Sequence, residues 1–440
     1  MTTRWLPGAA GPADAPRRAP DEGGLEHLGG PPPAPEEAGL PVPWAISASA
    51  HHLKEAGAEL RRLPVEVRIA ALARVGRAWR DPDDEHRQEA LDLLPSELGF
   101  TPEMVAWAID AAFDVLTVES LQRWWDREGH APSSTLSAHI QAGNVFVAGL
   151  PPVIASVLAG VPALIKAPSA APTFPALFAR SVARLAPELG PCVGSTTWSR
   201  VDRRTTQTLL NEADVAYAFG DDDSIAAVQA LSETRVHGFG HRVSVALIPA
   251  DQPVTDAVID GLATDALAYD GAGCLTPRWV LVEGDLETAT AWARAAASRL
   301  PAVNDLLPAL PLDAGSGAAR AQYLGVVGFS GFAAHDAGWA VTAQPHLDPA
   351  PPPRTLCFVP VAALDAVPDR LAPLGSTLQG LALAGAPDPD SGVFGPHGLD
   401  LPAPLAPLTA RGLSLVTRPG LLQRPPLDWN HDDVRILAAL

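Results

Sequence analysis

Lysine and cysteine are both scarce in this chain. Its 440 residues include 31 basic residues, and among these only Lys54 and Lys166 are lysines. The 50 acidic residues outweigh them and give a formal net charge of −19. This balance argues against binding to the phosphate backbone of nucleic acid or to an anionic membrane surface, because both need a basic face. Since arginine fills nearly every basic position, each remaining lysine is a candidate functional residue.

The three cysteines, Cys192, Cys274 and Cys357, are odd in number and widely spaced. Such spacing argues against a disulfide framework and against a zinc site of the CxxC kind, so we predict no metal site. Cys192 and Cys357 fall inside predicted strands, where a free cysteine usually serves as a small buried hydrophobic residue. A reducing cytoplasm is the compartment that we expect.

The chain also lacks a secretory or membrane-spanning pattern. Residues 1–43 contain no apolar h-region and are rich in Pro, Gly, Ala and acidic residues, so we predict a disordered tail there. Residues 140–165 carry no charge and are long enough to span a bilayer. Prolines and glycines divide this run into short pieces, however, and a buried β–turn–α–β segment explains it better than a membrane span.

Two patterns of apolar residues follow the tail. Residues 47–128 have apolar side chains at spacings of three and four, which predicts surface helices. From residue 144 onward, short β-prone runs such as "VFVAG", "ALIKAP" and "VAYAFG" alternate with helical patterns, and a second series of this kind begins after Cys274. The C-terminus reads as a short amphipathic helix. This alternation predicts α/β architecture with doubly wound, mostly parallel sheets, which bind ligands at the carboxyl ends of their strands.

Cys274 lies in the segment "AYDGAGCLTPRWVLV", within a glycine-rich loop between a predicted helix and a predicted strand. A thiol on such a turn can be accessible and close to backbone N–H groups that stabilise a thiolate or an oxyanion. A buried, inert cysteine is the alternative that local sequence leaves open.

Lys166 ends the strand pattern of "ALIKAPSAAP", and Ser169 follows it before the next helix. At the carboxyl end of a buried strand, a lysine can bind phosphate as a point charge, and the serine could hydrogen-bond a ribose or phosphate oxygen. The alternative is a lysine that only extends its amine from a strand end. Gly220 and Gly238 occupy strand ends where the backbone could approach a phosphate closely.

These segments together resemble a known family. "GNVFVAGLPPVIASVLAGVPALIKAPSAAPTFP", "AFGDDDSI", "HGFGHRVSVALI" and "DGAGCLTPRWVLV" occur in that order, and the ending "RPGLLQRPPLDWNHDD" completes the pattern. They resemble the acyl-CoA reductase family of the aldehyde dehydrogenase superfamily, which includes the fatty acyl reductases of bacterial bioluminescence. The resemblance runs from about residue 135 to the C-terminus.

The resemblance implies an aldehyde-dehydrogenase-like fold of two doubly wound α/β domains. On this basis we predict N-terminal helices and an NADP-binding domain over residues 44–268, and a catalytic domain over 269–400. The remaining residues, 401–440, are predicted to serve oligomerisation or to return to the cofactor domain.

The resemblance also implies residue roles. Cys274 would be the acyl-accepting nucleophile and Asn144 the oxyanion-hole amide, while Lys166, Ser169, Gly220 and Gly238 would bind the cofactor. The serine leaves room for the extra phosphate of NADPH. The segment "HGFGHRVS" lacks the glutamate that activates water in aldehyde oxidisers, which fits an enzyme that releases aldehyde. His237, in the same segment, is a candidate proton shuttle by position only.

The implied activity is NADPH-dependent reduction of a fatty acyl thioester to the aldehyde through an acyl-cysteine intermediate. The acyl donor would be CoA or a carrier protein, an acyl-protein synthetase is a candidate partner, and a homo-oligomer is expected. Two alternatives stay open at this point. One is a cysteine acyltransferase or thioesterase without hydride transfer, and the other is a non-catalytic scaffold of the same fold.

Overall fold

A computed structural model describes residues 42–386 and 401–440. Most of the predicted tail and most of the Pro-rich segment "AGAPDPDSGVFGPHG" lie outside these ranges. Helix α1 begins at Val42, so the last two residues assigned to the tail are helical. Buried Ala45 and Ile46 show that the first turn of this helix already packs against the body of the protein.

Five helices form the N-terminal region, as their apolar periodicity predicts. Side-chain caps fix three of the helix starts: Thr101 accepts a hydrogen bond from the Met104 backbone, Thr117 accepts one from Ser120 N, and Asp84 accepts bonds from the backbone N–H groups of the next turn. The helices are α1 (Val42–Arg62), α2 (Val65–Arg80), α3 (Glu85–Leu98), α4 (Pro102–Asp114) and α5 (Val118–Glu128).

The first sheet is fully parallel and has the strand order β3-β2-β1-β4-β5. The strand order reverses at β1. The crevice outside the carboxyl ends of β1 and β4 is therefore a topological switch point, of the kind where ligands bind. Its strands are β1 (Ser137–Ile140), β2 (Ala163–Ala167), β3 (Val193–Thr197), β4 (Val215–Phe219) and β5 (Arg235–Phe239). Its crossover helices are α6 (Leu150–Ala159), α7 (Thr173–Leu185), α8 (Arg203–Glu212) and α9 (Asp222–Gln229).

The run "VFVAG" is not a strand, contrary to the sequence-based prediction. It forms turns that lead into α6, and the strand is β1, upstream of it. Hydropathy hides β1 because two of its residues are polar. Both are buried and they contact each other: Ser137 Oγ lies 2.9 Å from His139 Nε2 and donates a bond to Ser156 Oγ.

The second sheet has seven strands in the order β12-β11-β6-β7-β10-β9-β8. All neighbours are parallel except β8 and β9. The strands are β6 (Val243–Ile248), β7 (Pro277–Glu283), β8 (Phe332–Asp336), β9 (Trp339–Ala343), β10 (Thr355–Val361), β11 (Leu378–Leu383) and β12 (Leu415–Thr417). Its helices are α10 (Asp256–Leu267), α11 (Leu286–Leu306), α12 (Ala314–Ser330) and α13 (Val367–Arg370).

The chain changes sheets before β6, upstream of the domain boundary that we predict at residue 268. Only residues 240–242 separate β5 from β6, yet β6 pairs with β7 and β11 of the second sheet. Strand–helix alternation is the same on both sides of this point, so local periodicity carries no sign of the change of sheet.

The C-terminal segment, residues 418–440, runs from the second sheet back to the first. The Tyr217 hydroxyl donates a bond of 2.9 Å to the carbonyl of Ile436, and Ser134 N donates one of 2.8 Å to that of Leu440. Its last residues form turns rather than the predicted amphipathic helix. Within the described part of the chain, no helix is both long and apolar enough to cross a membrane.

Candidate functional site

The chain passes directly from the last strand of the first sheet into the second sheet. The three-residue link from β5 to β6 brings the carboxyl end of the first sheet opposite the amino end of the second. Cys274 lies just before β7, at this amino end, and the Ser244 hydroxyl of β6 donates a bond of 2.9 Å to its carbonyl. Val145, in the turn after β1, lies 3.7 Å from the position that a Cβ on Gly273 would occupy. Residues 268–276, between α10 and β7, are called the cysteine loop below. This loop therefore faces the carboxyl ends of the strands of the first sheet, where ligands bind in such folds.

The loop begins with three consecutive left-handed residues. Tyr269 and Asp270 have φ values of 52° and 54°, and Gly271 has 70°. Left-handed backbone is uncommon for residues with a Cβ, and for the bulky tyrosine it is strained. At Gly271, a Cβ would lie 2.7 Å from the backbone nitrogen of Arg354, so glycine alone fits there. This run turns the chain out of α10 and towards Cys274.

Arg354 holds that turn in place. Its buried guanidinium donates to the carbonyl of Leu267 and to Asp270 Oδ1 through Nη1, at 2.9 and 2.8 Å. Nη2 and Nε donate to three further acceptors, on Asn304, Leu307 and Gly338. All five guanidinium donors are thus used, which is the condition under which a buried arginine is tolerated.

The far end of the loop is fixed by a second buried group. Gln423 Nε2 donates to Thr276 Oγ1 at 3.2 Å and to the Asp265 carbonyl at 3.1 Å. The Asp265 carboxylate in turn accepts a bond of 2.7 Å from Gly420 N, and burial raises the pKa of that carboxyl to about 7. The C-terminal segment therefore supports the Cys274 loop directly.

Cys274 is half-buried, whereas Cys192 and Cys357 are buried. Burial, together with the negative charge of Asp432, raises the pKa of the Cys274 thiol to about 12, and Arg242 opposes this shift. The thiol is therefore protonated at neutral pH in the free protein. Its reaction as a nucleophile requires that something removes the proton, because the thiolate is the reactive form.

Asn144 is exposed and touches the cysteine loop. Its Nδ2 donates a bond of 3.3 Å to the carbonyl of Ala272, two residues before Cys274. The structure therefore brings together Asn144 and Cys274, which lie far apart in sequence.

Lys166 and Ser169 converge on Trp198. The Lys166 ammonium lies 6.0 Å from the Trp198 ring centre, and Ser169 Oγ donates a bond of 3.1 Å to the Trp198 carbonyl. Lys166 is the penultimate residue of β2 and is buried, and burial lowers the pKa of its amine to about 8. No carboxylate within ion-pair distance faces this amine among the described residues, so its charge is free to meet an anion.

The two glycines differ in their surroundings. At Gly238 a Cβ would overlap Cγ2 of Ile225, so this glycine allows α9 to pack against β5. At Gly220 the nearest atom to a Cβ would be Cβ of Ser224, at 3.4 Å. Packing therefore explains Gly238, whereas space alone does not require glycine at position 220.

His237 is half-buried on β5, an edge strand of the first sheet. It stacks on Tyr217 with ring centres 5.4 Å apart, and Tyr217 stacks on His139 at the same distance. Burial and the nearby Arg235 charge lower the pKa of the His237 imidazole. Nothing in these contacts joins it to the Cys274 loop.

The residues that sequence reasoning missed lie in the C-terminal segment. His431 stacks on Phe239, the last residue of β5, and on Trp429, with ring centres 4.3 and 4.4 Å apart. The next residue, Asp432, pairs with Arg242. In the sequence these residues form the polar cluster "NHDD", which ends the C-terminal segment of the family resemblance but carried no predicted role.

Solved structures share this architecture. An NAD-dependent benzaldehyde dehydrogenase from Corynebacterium glutamicum is 13% identical, with a TM-score of 0.58 over 80% of this chain and 83% of that one. Aldehyde dehydrogenase C from Pseudomonas syringae, solved with NAD⁺ and octanal, is also 13% identical, with a TM-score of 0.58 over 78% and 77%. The chain thus has the aldehyde dehydrogenase fold, which confirms the predicted fold class.

Sequence comparison identifies the family to which the chain belongs within this fold. The profile of the acyl-CoA reductase (LuxC) family matches residues 129–440, well over half of the chain, and the chain belongs to that family. The long-chain acyl-protein thioester reductase of Aliivibrio fischeri is 26% identical over 48% of this chain and 49% of that protein. The match therefore spans about half the length of this curated relative.

Proposed function

We propose that this protein reduces an acyl thioester to the aldehyde with a nicotinamide cofactor, through an acyl-Cys274 intermediate. The observation that carries the proposal is the position of Cys274. It is the half-buried thiol among three cysteines, and it lies on a loop anchored at both ends opposite the carboxyl edge of a parallel sheet. Membership of the acyl-CoA reductase family supports the reaction class.

In the first step, the Cys274 sulfur attacks the thioester carbonyl and the acyl group passes to the protein as the donor thiol leaves. Exchange of one thioester for another is nearly balanced in free energy, so the protein acts by positioning and by stabilising the oxyanion. The Asn144 amide and the Cys274 backbone N–H are the donors that we assign to the oxyanion. The Asn144 contact with Ala272 keeps that amide beside the loop in the free protein.

The residues at the edge of the first sheet fit a phosphate-bearing cofactor. Lys166 offers a buried ammonium without a carboxylate partner in the described chain, and Ser169 offers a hydroxyl beside it. A strongly anionic group, such as the extra phosphate of NADPH, is what such a donor set would hold. Bound there, the cofactor would supply the hydride that converts the acyl-cysteine to a thiohemiacetal, which collapses to aldehyde and free Cys274.

The segment 237–244 supports release of aldehyde rather than acid. It contains no Asp or Glu that could activate water against the acyl-cysteine. Lys166 and Ser169 would have no role in a thioesterase or acyltransferase, which uses no cofactor. The proposed reductase therefore accounts for more of the site than either alternative.

Cofactor oxidation with acyl-CoA substrates of several chain lengths tests the proposal. We expect wild type to oxidise NADPH and to form aldehyde, Cys274→Ala to be inactive, and Cys357→Ala, which alters a buried cysteine, to remain active. Thiol release and free acid without cofactor oxidation would instead identify a thioesterase. Repeating the assay with an acyl-carrier protein and with an acyl-protein synthetase identifies the acyl donor.

A further inference from the structure

A tight turn of the C-terminal segment carries a buried carboxylate. His431 and Val434 form an antiparallel bridge, and Val434 N donates a bond of 2.9 Å to the His431 carbonyl. Between them Asp432 and Asp433 have φ values of 50° and 63°, the left-handed pair of a type I′ turn. Asn-Gly would suit this turn better, so two aspartates are a departure from turn chemistry that calls for another explanation.

The two aspartates point to different surroundings. Asp433 is exposed. The Asp432 side chain is only 8% exposed, and its Oδ2 lies 3.0 Å from Arg242 Nε. Its Oδ1 accepts a bond of 2.7 Å from Gln379 Nε2, and Gln379 is fully buried. A carboxylate enters such surroundings only when it has polar partners, and for Asp432 these are the Arg242 cation and the Gln379 amide. Its Oδ2 is buried and accepts no hydrogen bond from the described residues, so this oxygen is free to accept a proton.

The partners of Asp432 are the neighbours of the cysteine loop. Arg242 lies two residues before Ser244, whose hydroxyl bonds the Cys274 carbonyl. Gln379 precedes Gly380, where a Cβ would lie 2.7 Å from Ser244 Oγ and 3.1 Å from Leu275 Cδ2. The aromatic stack of Phe239, His431 and Trp429 fixes the turn from its other side. The C-terminal segment thus places a carboxylate among residues that adjoin the cysteine loop.

We propose that Asp432 is the proton acceptor for Cys274 during acyl transfer, and that its pairing with Arg242 holds the carboxylate in position. This inference rests on the proposed function. The S–H bond of Cys274 breaks and its proton passes to the Asp432 carboxylate as sulfur bonds the acyl carbon. The bond from that carbon to the donor sulfur then breaks, and the leaving thiolate takes the proton from Asp432. No electrons are exchanged with an outside reagent in this step.

The charged and titratable groups around the thiol fit this role. Asp432 disfavours the thiolate in the free protein, Arg242 favours it, and the His431 imidazole is neutral because burial lowers its pKa to about 4. His431 therefore cannot supply a cation at neutral pH. No hydrogen bond joins the carboxylate of Asp432 to the sulfur of Cys274 in the free protein, and catalytic hydrogen bonds commonly form only when substrate closes the site. Transfer takes place in the acyl-donor complex, directly or through one water.

The substitution Asp432→Asn distinguishes two roles for Asp432: accepting the Cys274 proton, or acting on the thiol only through its negative charge. Asparagine keeps the shape, tolerates the left-handed backbone and can still accept the Gln379 bond. Asp433→Asn is the matched control, because it makes the same change at the exposed position of the same turn. Two rates are measured for each protein: alkylation of Cys274 by iodoacetamide, located by peptide mass spectrometry, and release of CoA from an acyl-CoA in a single turnover.

In Asp432→Asn we expect the two rates to move in opposite directions. Alkylation should rise by about tenfold for each unit by which the thiol pKa falls, because only the thiolate reacts. Acyl transfer should fall by about 10²-fold, the usual contribution of a general base. Asp433→Asn should match wild type in both. A purely structural change would slow both reactions, and a purely electrostatic one would speed both.

Either of those results, or acyl transfer that stays at the wild-type rate, overturns the role of Asp432. A wild-type protein that releases no thiol from any acyl donor overturns the proposed function itself, and this inference with it. Wild-type acyl transfer that Asp432→Asn retains in full overturns the inference alone.

Discussion

Arg354 Nη1 donates a hydrogen bond of 2.8 Å to Asp270 Oδ1, inside the left-handed run that leads to Cys274. Arg354 precedes β10 and Asp270 follows α10, so this pair joins two crossovers of the second sheet at the base of the cysteine loop. The geometry of the nucleophile thus depends on a cation that does not itself reach the reacting atoms. Arg354 is a positioning residue, and its removal bears on both stability and activity.

Replacing Arg354 with methionine should lower the free energy of unfolding by about 3 kcal/mol, because it leaves five acceptors, the partly buried Asp270 carboxylate among them, without their donor. Equilibrium urea unfolding measures the loss. Arg62→Met, which breaks an exposed pair with Glu59 one turn away, should change stability by about 1 kcal/mol or less. Equal effects of the two substitutions would contradict the assigned role of Arg354.

Gly238→Ala should destabilise the first sheet by about 1–3 kcal/mol, because its methyl group overlaps Cγ2 of Ile225. The additional change Ile225→Ala should restore part of that loss by removing the overlapping atoms. Gly220→Ala, where the nearest side-chain atom is 3.4 Å away, should be stable. Thermal unfolding of the four proteins measures these differences, and a Gly238→Ala protein as stable as wild type would rule out the packing explanation.

Cofactor binding should depend on the charge of Lys166. Burial lowers its pKa to about 8, so the ammonium is present below pH 8 and is lost as the pH rises through that value. We expect the affinity for NADPH to fall above pH 8 in wild type and to change little in Lys166→Arg, which stays charged. Lys166→Met should bind weakly at every pH. Fluorescence titration measures the dissociation constants; a flat wild-type profile would show that Lys166 does not meet the cofactor.

The same lowered pKa affects stability. An unfolded Lys166 keeps its proton up to about pH 10.5, whereas the folded one loses it near pH 8. Between these values the unfolded state binds more protons, so stability gained from this residue rises with pH across that window. Lys166→Met should remove this gain. Urea unfolding at pH 7.5 and pH 9.5 in both proteins measures it, and an equal change in the two would contradict the burial of a charged amine.

Alkylation of Cys274 in the free protein should be slow at pH 7 and should increase about tenfold per pH unit up to pH 10. A thiol with a pKa near 12 is far from fully ionised over that range. Iodoacetamide labelling at several pH values measures the rate, and Cys274→Ala provides the background. A plateau near pH 8.5 would show an unperturbed thiol and would remove the need for a proton acceptor.

Much of the fold could be predicted from the sequence because its signals are local. Apolar spacing identified the N-terminal helices, and β-prone runs between helical patterns identified strands such as β2 and β4. Two errors have clear physical causes. The strand β1 was missed because Ser137 and His139 are polar yet buried, where they contact each other. The terminal helix was wrong because residues after Asn430 are held by contacts with distant parts of the chain rather than by helical bonds.

Some features of the candidate site could likewise be predicted from local sequence, and others depend on the tertiary structure. By itself the sequence determined which groups are available: one cysteine in a glycine-rich loop, one lysine at a strand end, and no carboxylate in the segment 237–244. Only the tertiary structure decided that β6 belongs to the second sheet. It also decided that Asp432 pairs with Arg242, where its charge acts on the Cys274 thiol. Strand pairing and side-chain contacts between distant residues depend on how the whole chain packs, and no periodicity within a short window records them.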